Sequence, residues 1–259
     1  MTGNNKTLKL TPVILLAIAL LTLNACSVFK RNRRVNAAQG TENIDGEFSH
    51  YVYSSQNKTS NTIIMILSGD GGWMEFNDAL AQHFSKAGYN TLGINSRNYF
   101  WQRRTPQETT NFLLGVLKKY QLIWKNKKVV LIGYSFGADV IPFIYNRLPK
   151  KNQRQVKAIH LLSPFKTTDF RVKVSDLINL ADDNKTFSVE QELIKIKIPI
   201  ICFYGEEETS KPLENLKMKN LLHKKLKGGH KYINAYETIV SSVKASLLSI
   251  ENNNFAFAQ

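Results

Sequence analysis

The amino-acid sequence predicts an α/β fold: a single domain with a mainly parallel sheet and helices on both faces. Three observations carry this reading. From Asn61 onward, short runs rich in β-branched residues alternate with stretches of helical periodicity. The runs lack the polar alternation of half-solvated strands, so they belong to a sheet covered on both sides. One of them, Val129 to Ile132, passes through Gly133-Tyr134-Ser135-Phe136-Gly137 directly into a helical stretch.

Taken in order, the expected strands are Thr62 to Leu67, Asn90 to Ile94, Lys128 to Ile132, Val156 to Leu162 and Pro199 to Tyr204, with a further one around Phe48 to Tyr53. Helices fit between them. Phe76 to Ala87 is stopped by Gly88, Pro106 to Tyr120 opens on a proline, and Ala138 to Arg147 carries Pro142 as a kink. Ile233 to Ile250 forms the last helix, and the basic stretch Lys217 to Lys227 also reads as helical.

Composition bounds the rest. At 43% hydrophobic and 21% charged residues, 259 residues can bury a large core, which argues against disorder. Two cysteines cannot build a disulfide scaffold or a four-thiolate zinc site, and no histidine pair has ligand spacing, so neither metal nor cofactor is expected. The net charge of +15 points to an anionic partner.

Residues 1–25 read as an export signal. Lys6 and Lys9 precede nine apolar residues, Val13 to Leu21, too few to span a bilayer, and Leu23-Asn24-Ala25-Cys26 follows. Cys26 fits the lipidated first residue of a bacterial lipoprotein. This expects an extracytoplasmic, periplasmic chain anchored to a membrane, with no nucleic-acid partner. Two of the fifteen net charges lie in that leader, which leaves +13. Lys30, Arg31, Arg33 and Arg34 then face anionic head groups, at about 1 kcal/mol each. Residues 26–59 read as a basic and polar tether, and residues 60–259 as the catalytic domain. Cys202, inside an apolar run, reads as core filling.

The strand-turn-helix context gives the Gly-x-Ser-x-Gly segment chemical meaning. A serine on that sharp turn presents its hydroxyl at the carboxyl edge of the sheet, and the Phe136 N–H at the helix start faces a developing oxyanion. Ser135 is the expected nucleophile. A serine hydroxyl needs a base, and five histidines are available. His50 lies in the tether, His83 in a helix, His160 in an apolar strand and His223 in the basic stretch. His230 follows Gly228-Gly229 after the last strand and completes the chain order Ser, acid, His. The orienting acid should follow Pro199 to Tyr204, where Glu206-Glu207-Glu208 stands; Glu208 is the first choice, Glu207 the second and Asp169 a weaker alternative. The second oxyanion donor should come from Ser68-Gly69-Asp70-Gly71-Gly72-Trp73, through Asp70 or Gly71.

These motifs resemble the bacterial virulence protein family VirJ/AcvB, an α/β-hydrolase group. The likeness rests on LSGDGGW at 67–73, YFWQRRTP at 99–106, LIGYSFGADVIPFIYNRLP at 131–149, YGEEE at 204–208 and GGH at 228–230. The chain departs from the family pattern at Lys231, where a second histidine is usual, and at Ser210 and Lys211-Pro212. The resemblance implies an extracytoplasmic serine hydrolase that removes amino acids, notably lysine, from aminoacylated phosphatidylglycerol, and an association with type IV secretion proteins. For such a lipid, Asp70 and Asp139 are candidate carboxylates for a cationic aminoacyl group, although Asp139 could instead anchor a loop. Arg103 and Arg104, beside Trp101, are candidate phosphate ligands, and Trp73 completes the expected substrate set. The competing expectations are a non-catalytic periplasmic accessory factor and a general lipid or carboxyl esterase.

Overall fold

A computed structural model describes residues 40–45, 48–55, 57, 60–173 and 185–252, with the side chains of 41–45 and 49 excepted. The leader, Cys26 and the basic cluster at residues 30–34 lie outside the described residues. The strands are β1 (Thr41–Asp45), β2 (Phe48–Tyr53), β3 (Thr62–Leu67), β4 (Asn90–Ile94), β5 (Lys128–Tyr134), β6 (Val156–Leu162), the short pair β7 (Thr167–Thr168) and β8 (Phe187–Ser188), then β9 (Ile200–Gly205) and β10 (Leu221–Leu226). The helices are α1 (Glu75–Lys86), α2 (Ser96–Tyr99), α3 (Pro106–Trp124), α4 (Phe136–Arg147), α5 (Lys150–Gln153), α6 (Val189–Leu193) and α7 (Tyr236–Glu251).

Eight strands form one sheet in the order β1-β2-β4-β3-β5-β6-β9-β10. The run from β4 to β10 is parallel, and the antiparallel hairpin β1–β2 is added at one edge. Every residue of β3, β4 and β9 is buried, as strands with helices on both faces require. Isoleucine recurs in all three, and valine, leucine and isoleucine fill the middle of β5, because branched side chains pack well on a pleated surface already committed to burial. The α/β reading therefore holds.

Two sequence expectations change. The strand expected at Phe48 to Tyr53 is β2, paired with β4, but the stretch before it, read as a tether, also holds a strand, β1, paired with β2; His50 is fully buried with its Nε2 2.9 Å from the Tyr120 hydroxyl. The polar sequence of β1, Thr-Glu-Asn-Ile-Asp, suits a sheet edge as well as it suits a tether. The segment Lys217 to Lys227 is likewise no helix. Its Leu-Leu-His-Lys-Lys-Leu core is β10, an edge strand with buried leucines at both ends and lysines that discourage pairing with another chain.

Local signals set the helix boundaries. At α3, Thr105 accepts from the Glu108 N–H while the Glu108 carboxylate accepts from the Thr105 N–H, and Pro106 takes the first helical position. At α4 the helix begins at Phe136, immediately after Ser135, two residues earlier than its apolar periodicity implies.

His160 of β6 is fully buried between sheet and α7, near-parallel to the Phe203 ring, with Nε2 3.2 Å from the Ser246 hydroxyl. Burial, assisted by the Lys224 charge, pulls its pKa from 6.5 down to about 3. The unfolded chain thus takes up a proton that the native state refuses. Its contribution to stability is complete above pH 6.5 and falls as the pH drops toward about 3. Urea unfolding between pH 7 and pH 4 should give a flatter pH dependence for His160→Phe than for the parent; parallel curves would contradict a neutral buried His160.

Candidate active site

The first element of the site is the turn between β5 and α4. Ser135 has φ +52° and ψ −121°, a left-handed conformation that a non-glycine residue adopts only under constraint. The constraint is visible. The Ser135 N–H donates to the Leu162 carbonyl at 2.8 Å, and its carbonyl accepts from the Ala138 N–H at 2.7 Å, so the residue is tied to β6 on one side and to the helix on the other. A Cβ at Gly137 would lie 2.3 Å from the Leu67 carbonyl oxygen, which is why the helix can approach β3 so closely. Phe136, at the first helical position, has its N–H directed out of the helix start.

The second element is the turn after β3. Gly69 sits against the elbow, with a position for a Cβ only 3.3 Å from the Ser135 Cβ, so the Gly69-Asp70-Gly71 backbone passes over the serine. The Gly71 N–H donates to its neighbour's carboxylate, Asp70 Oδ1, at 2.9 Å. Of the two donors expected in this loop, the Gly71 N–H is therefore engaged by the preceding carboxylate, and the peptide N–H groups nearer Ser135 remain the candidates.

The third element is formed by β9 and β10. These strands are parallel neighbours with Gly205 opposite Leu226, so the loops that follow them leave the sheet side by side. A Cβ at Gly205 would meet the Gly228 carbonyl at 2.5 Å, and Gly228 itself has φ +87°. This close crossing brings His230 to Glu208: His230 Nδ1 lies 2.9 Å from Glu208 Oε2. The other carboxylate oxygen, Oε1, accepts from the Gly205 N–H and from the Ser163 hydroxyl at 2.7 Å. Burial alone would raise the Glu208 pKa, but its hydrogen bonds with His230, Gly205 and Ser163 outweigh it and hold the carboxyl below its ordinary value. It is an acceptor-only carboxylate beside a half-exposed imidazole.

Ser135, His230 and Glu208 line one open cavity of about 1310 Å³ at the carboxyl edge of the sheet. Glu207, the second-choice acid, lines its mouth and donates its N–H to the Gly228 carbonyl at 3.1 Å. Asp169 also lines the cavity, but its carboxylate is taken by Lys173 at 3.3 Å and the Thr186 hydroxyl at 3.2 Å rather than by His230. Asp70 and Asp139 both line the cavity. Asp139 also latches a loop, accepting from the Phe165 N–H at 2.6 Å, and burial pushes its carboxyl well above the usual range.

The aromatic and arginine candidates are placed differently. Trp73 is buried under the edge hairpin, stacked on Tyr51 at 5.0 Å and donating from Nε1 to the Tyr53 hydroxyl, and so is a core residue. Arg104 lies over the Phe48 and Tyr99 rings and donates to the Tyr99 carbonyl, while Trp101 packs with Arg97. Neither of these two, nor Arg103, lines the cavity. Its cations are instead Lys166, Arg171, Lys173, Lys185 and Lys231. All but Lys231 come from the chain around β7 and β8, where no sequence motif marks them. Tyr134, within the elbow motif, was also missed: its hydroxyl donates to the His230 carbonyl at 3.1 Å and its ring lies 5.3 Å from the imidazole.

The fold has known counterparts. Est1E from Butyrivibrio proteoclasticus superposes with a TM-score of 0.58 at 14% identity, covering 82% of this chain and 98% of that one. The esterase Pf2001 of Pyrococcus furiosus gives 0.56 at 17% identity over 81% and 91%, and the naproxen esterase (carboxylesterase NP) of Bacillus subtilis 0.54 at 13% over 82% and 90%. The fold is thus that of the α/β-hydrolases. A search of the curated proteins finds no match in sequence.

The packing at the elbow is testable. Gly137→Ala should cost about 2 kcal/mol or more of unfolding free energy, since the added methyl meets a backbone carbonyl that cannot rotate away. A melting temperature equal to the parent's would show that the helix does not approach β3 as described. The profile described as bacterial virulence protein (VirJ) matches residues 61–250, a span that contains the elbow, the β3 turn and the Glu208–His230 pair, and the chain belongs to the VirJ family.

Proposed function

We propose that this chain is a serine hydrolase of carboxylic esters, with Ser135 as nucleophile, His230 as general base and acid, and Glu208 as the residue that orients the imidazole. The observation that carries the reading is the 2.9 Å contact between His230 Nδ1 and Glu208 Oε2 at a cavity also lined by a serine on a constrained elbow. A carboxylate on Nδ1 fixes the tautomer in which Nε2 is free to accept a proton. Ser135 Oγ attacks the ester carbonyl as His230 takes its proton. The oxyanion is met by the Phe136 N–H and by an N–H of the Gly69-Asp70 turn, and His230 then protonates the departing alcohol. Water repeats the sequence on the acyl-enzyme and restores Ser135.

The substrate proposed is an aminoacylated phospholipid, lysyl-phosphatidylglycerol in the first instance, met by an extracytoplasmic enzyme held to its membrane through lipidated Cys26. A cationic aminoacyl group finds the Asp70 carboxylate in the cavity, Asp139 being a buried loop latch whose carboxyl resists ionisation, and an anionic phosphate finds Lys166 and Lys231. A domain net charge of +11 over residues 60–259, from 28 basic and 17 acidic residues, favours an anionic surface.

Ser135→Ala should abolish turnover of a soluble ester and labelling by a fluorophosphonate probe while leaving the melting curve unchanged; retained turnover would remove Ser135 from the mechanism. Replacing Lys166 and Lys231 together by glutamate should raise KM for lysyl-phosphatidylglycerol vesicles by about tenfold and change a short soluble ester by less than about twofold. Equal effects on both substrates would argue against phosphate recognition at this rim.

A further inference from the structure

Two hydroxyl groups outside the Ser135, His230 and Glu208 set converge on the carboxylate. Ser163, the first residue after β6, has φ +51°, and Tyr232, two residues beyond His230, has φ +49°. Both are buried, Tyr232 completely. Left-handed backbone at two non-glycine residues is held only where surrounding contacts over-determine it. Here those contacts meet at one point: the Ser163 Oγ is 2.7 Å from Glu208 Oε1 and 2.6 Å from the Tyr232 hydroxyl, which is itself 3.2 Å from Glu208 Oε1 and 3.0 Å from the Phe203 carbonyl. The Ser163 N–H donates to that same Phe203 carbonyl at 2.8 Å.

We infer that Ser163 and Tyr232 are positioning residues, a hydroxyl clamp that fixes Oε1 of Glu208 so that Oε2 is presented to His230 Nδ1. The proton count supports this. Two hydroxyl protons serve the cluster: the Ser163 O–H donates to Glu208 Oε1, and the Tyr232 O–H is shared among Ser163 Oγ, the Phe203 carbonyl and Glu208 Oε1 itself, so both hydroxyls can donate toward the charged oxygen. The glutamate side chain has three rotatable bonds and hangs from a surface loop. With the Gly205 N–H alone on Oε1, the carboxylate could rotate and draw the imidazole with it. Tyr232 also links the clamp to the loop that carries His230, so acid and base move together. The clamp rests on the triad proposed above, and its test separates the two.

Ser163→Ala, Tyr232→Phe and the double variant should be compared with Ser135→Ala and Glu208→Gln on a soluble p-nitrophenyl ester. Each single variant should lower kcat by about tenfold with KM within about twofold. The double variant should be little worse than the poorer single one, because both act through one oxygen. The downfield proton signal of the His230 Nδ1–H, present in the parent, should weaken or move upfield in each. A purely structural role would lower the melting temperature without moving that signal. Tyr232→Phe keeps the ring and carries the test if Ser163→Ala does not fold. Unchanged kcat and an unchanged signal in Tyr232→Phe, with Glu208→Gln strongly impaired, would overturn the clamp and leave the triad intact. Full activity in Glu208→Gln and Ser135→Ala would overturn the triad itself.

Discussion

The structure depends on how closely the start of α4 approaches the carboxyl ends of β3 and β5. That approach has no room for a Cβ at Gly137, and it forces Ser135 into a left-handed turn held by β6 and by the first turn of the helix. Backbone strain of this kind costs on the order of 1–3 kcal/mol and persists because buried strands and helix packing fix it from both sides. Its consequence is chemical: the hydroxyl stands at the sheet edge, beside the helix N-terminus and under the turn that follows β3. A relaxed turn would bury the same serine or swing it into solvent.

A second close crossing completes the arrangement. Because β9 and β10 are parallel neighbours, the acidic loop and the Gly-Gly-His loop leave the sheet together, and the contact of Gly205 with Gly228 brings their tips within hydrogen-bond reach. The serine and the His–Glu pair come from different strands and meet only through the sheet order. The cavity between them holds carboxylates and cations together, so it suits a ligand bearing both signs better than a uniformly charged one.

How much of this was legible before the structure follows from the kind of signal each part leaves. The central strands, the elbow and His230 were readable because burial on both faces and a sharp turn each impose a narrow residue choice on a contiguous segment. The choice of Glu208 among three glutamates followed from its distance to the strand end. The two edges of the sheet were not readable: the sequence predicts the strand at Phe48 to Tyr53 but not its partner β1, and β10 carries histidine and lysine because one flank meets solvent, a composition that also suits a helix. Trp73 and Arg104 sit in glycine- and arginine-rich motifs that suggest ligand binding, yet both make packing contacts that depend on Tyr51, Tyr53, Phe48 and Tyr99 from distant segments. The Ser163 and Tyr232 hydroxyls lie 69 residues apart in the chain, and only the fold joins them.

The central claim is that Ser135 forms a covalent acyl intermediate with help from His230 and Glu208. Rapid mixing with an excess of p-nitrophenyl acetate, followed by intact-mass and peptide analysis of the quenched protein, tests it most directly. The account predicts a burst of p-nitrophenol of one equivalent per chain and an acetyl group on the peptide containing Ser135, with the burst rate lost in a His230→Ala variant. Turnover with no burst and no modified Ser135 peptide, or an acetyl group on any other residue, would contradict it.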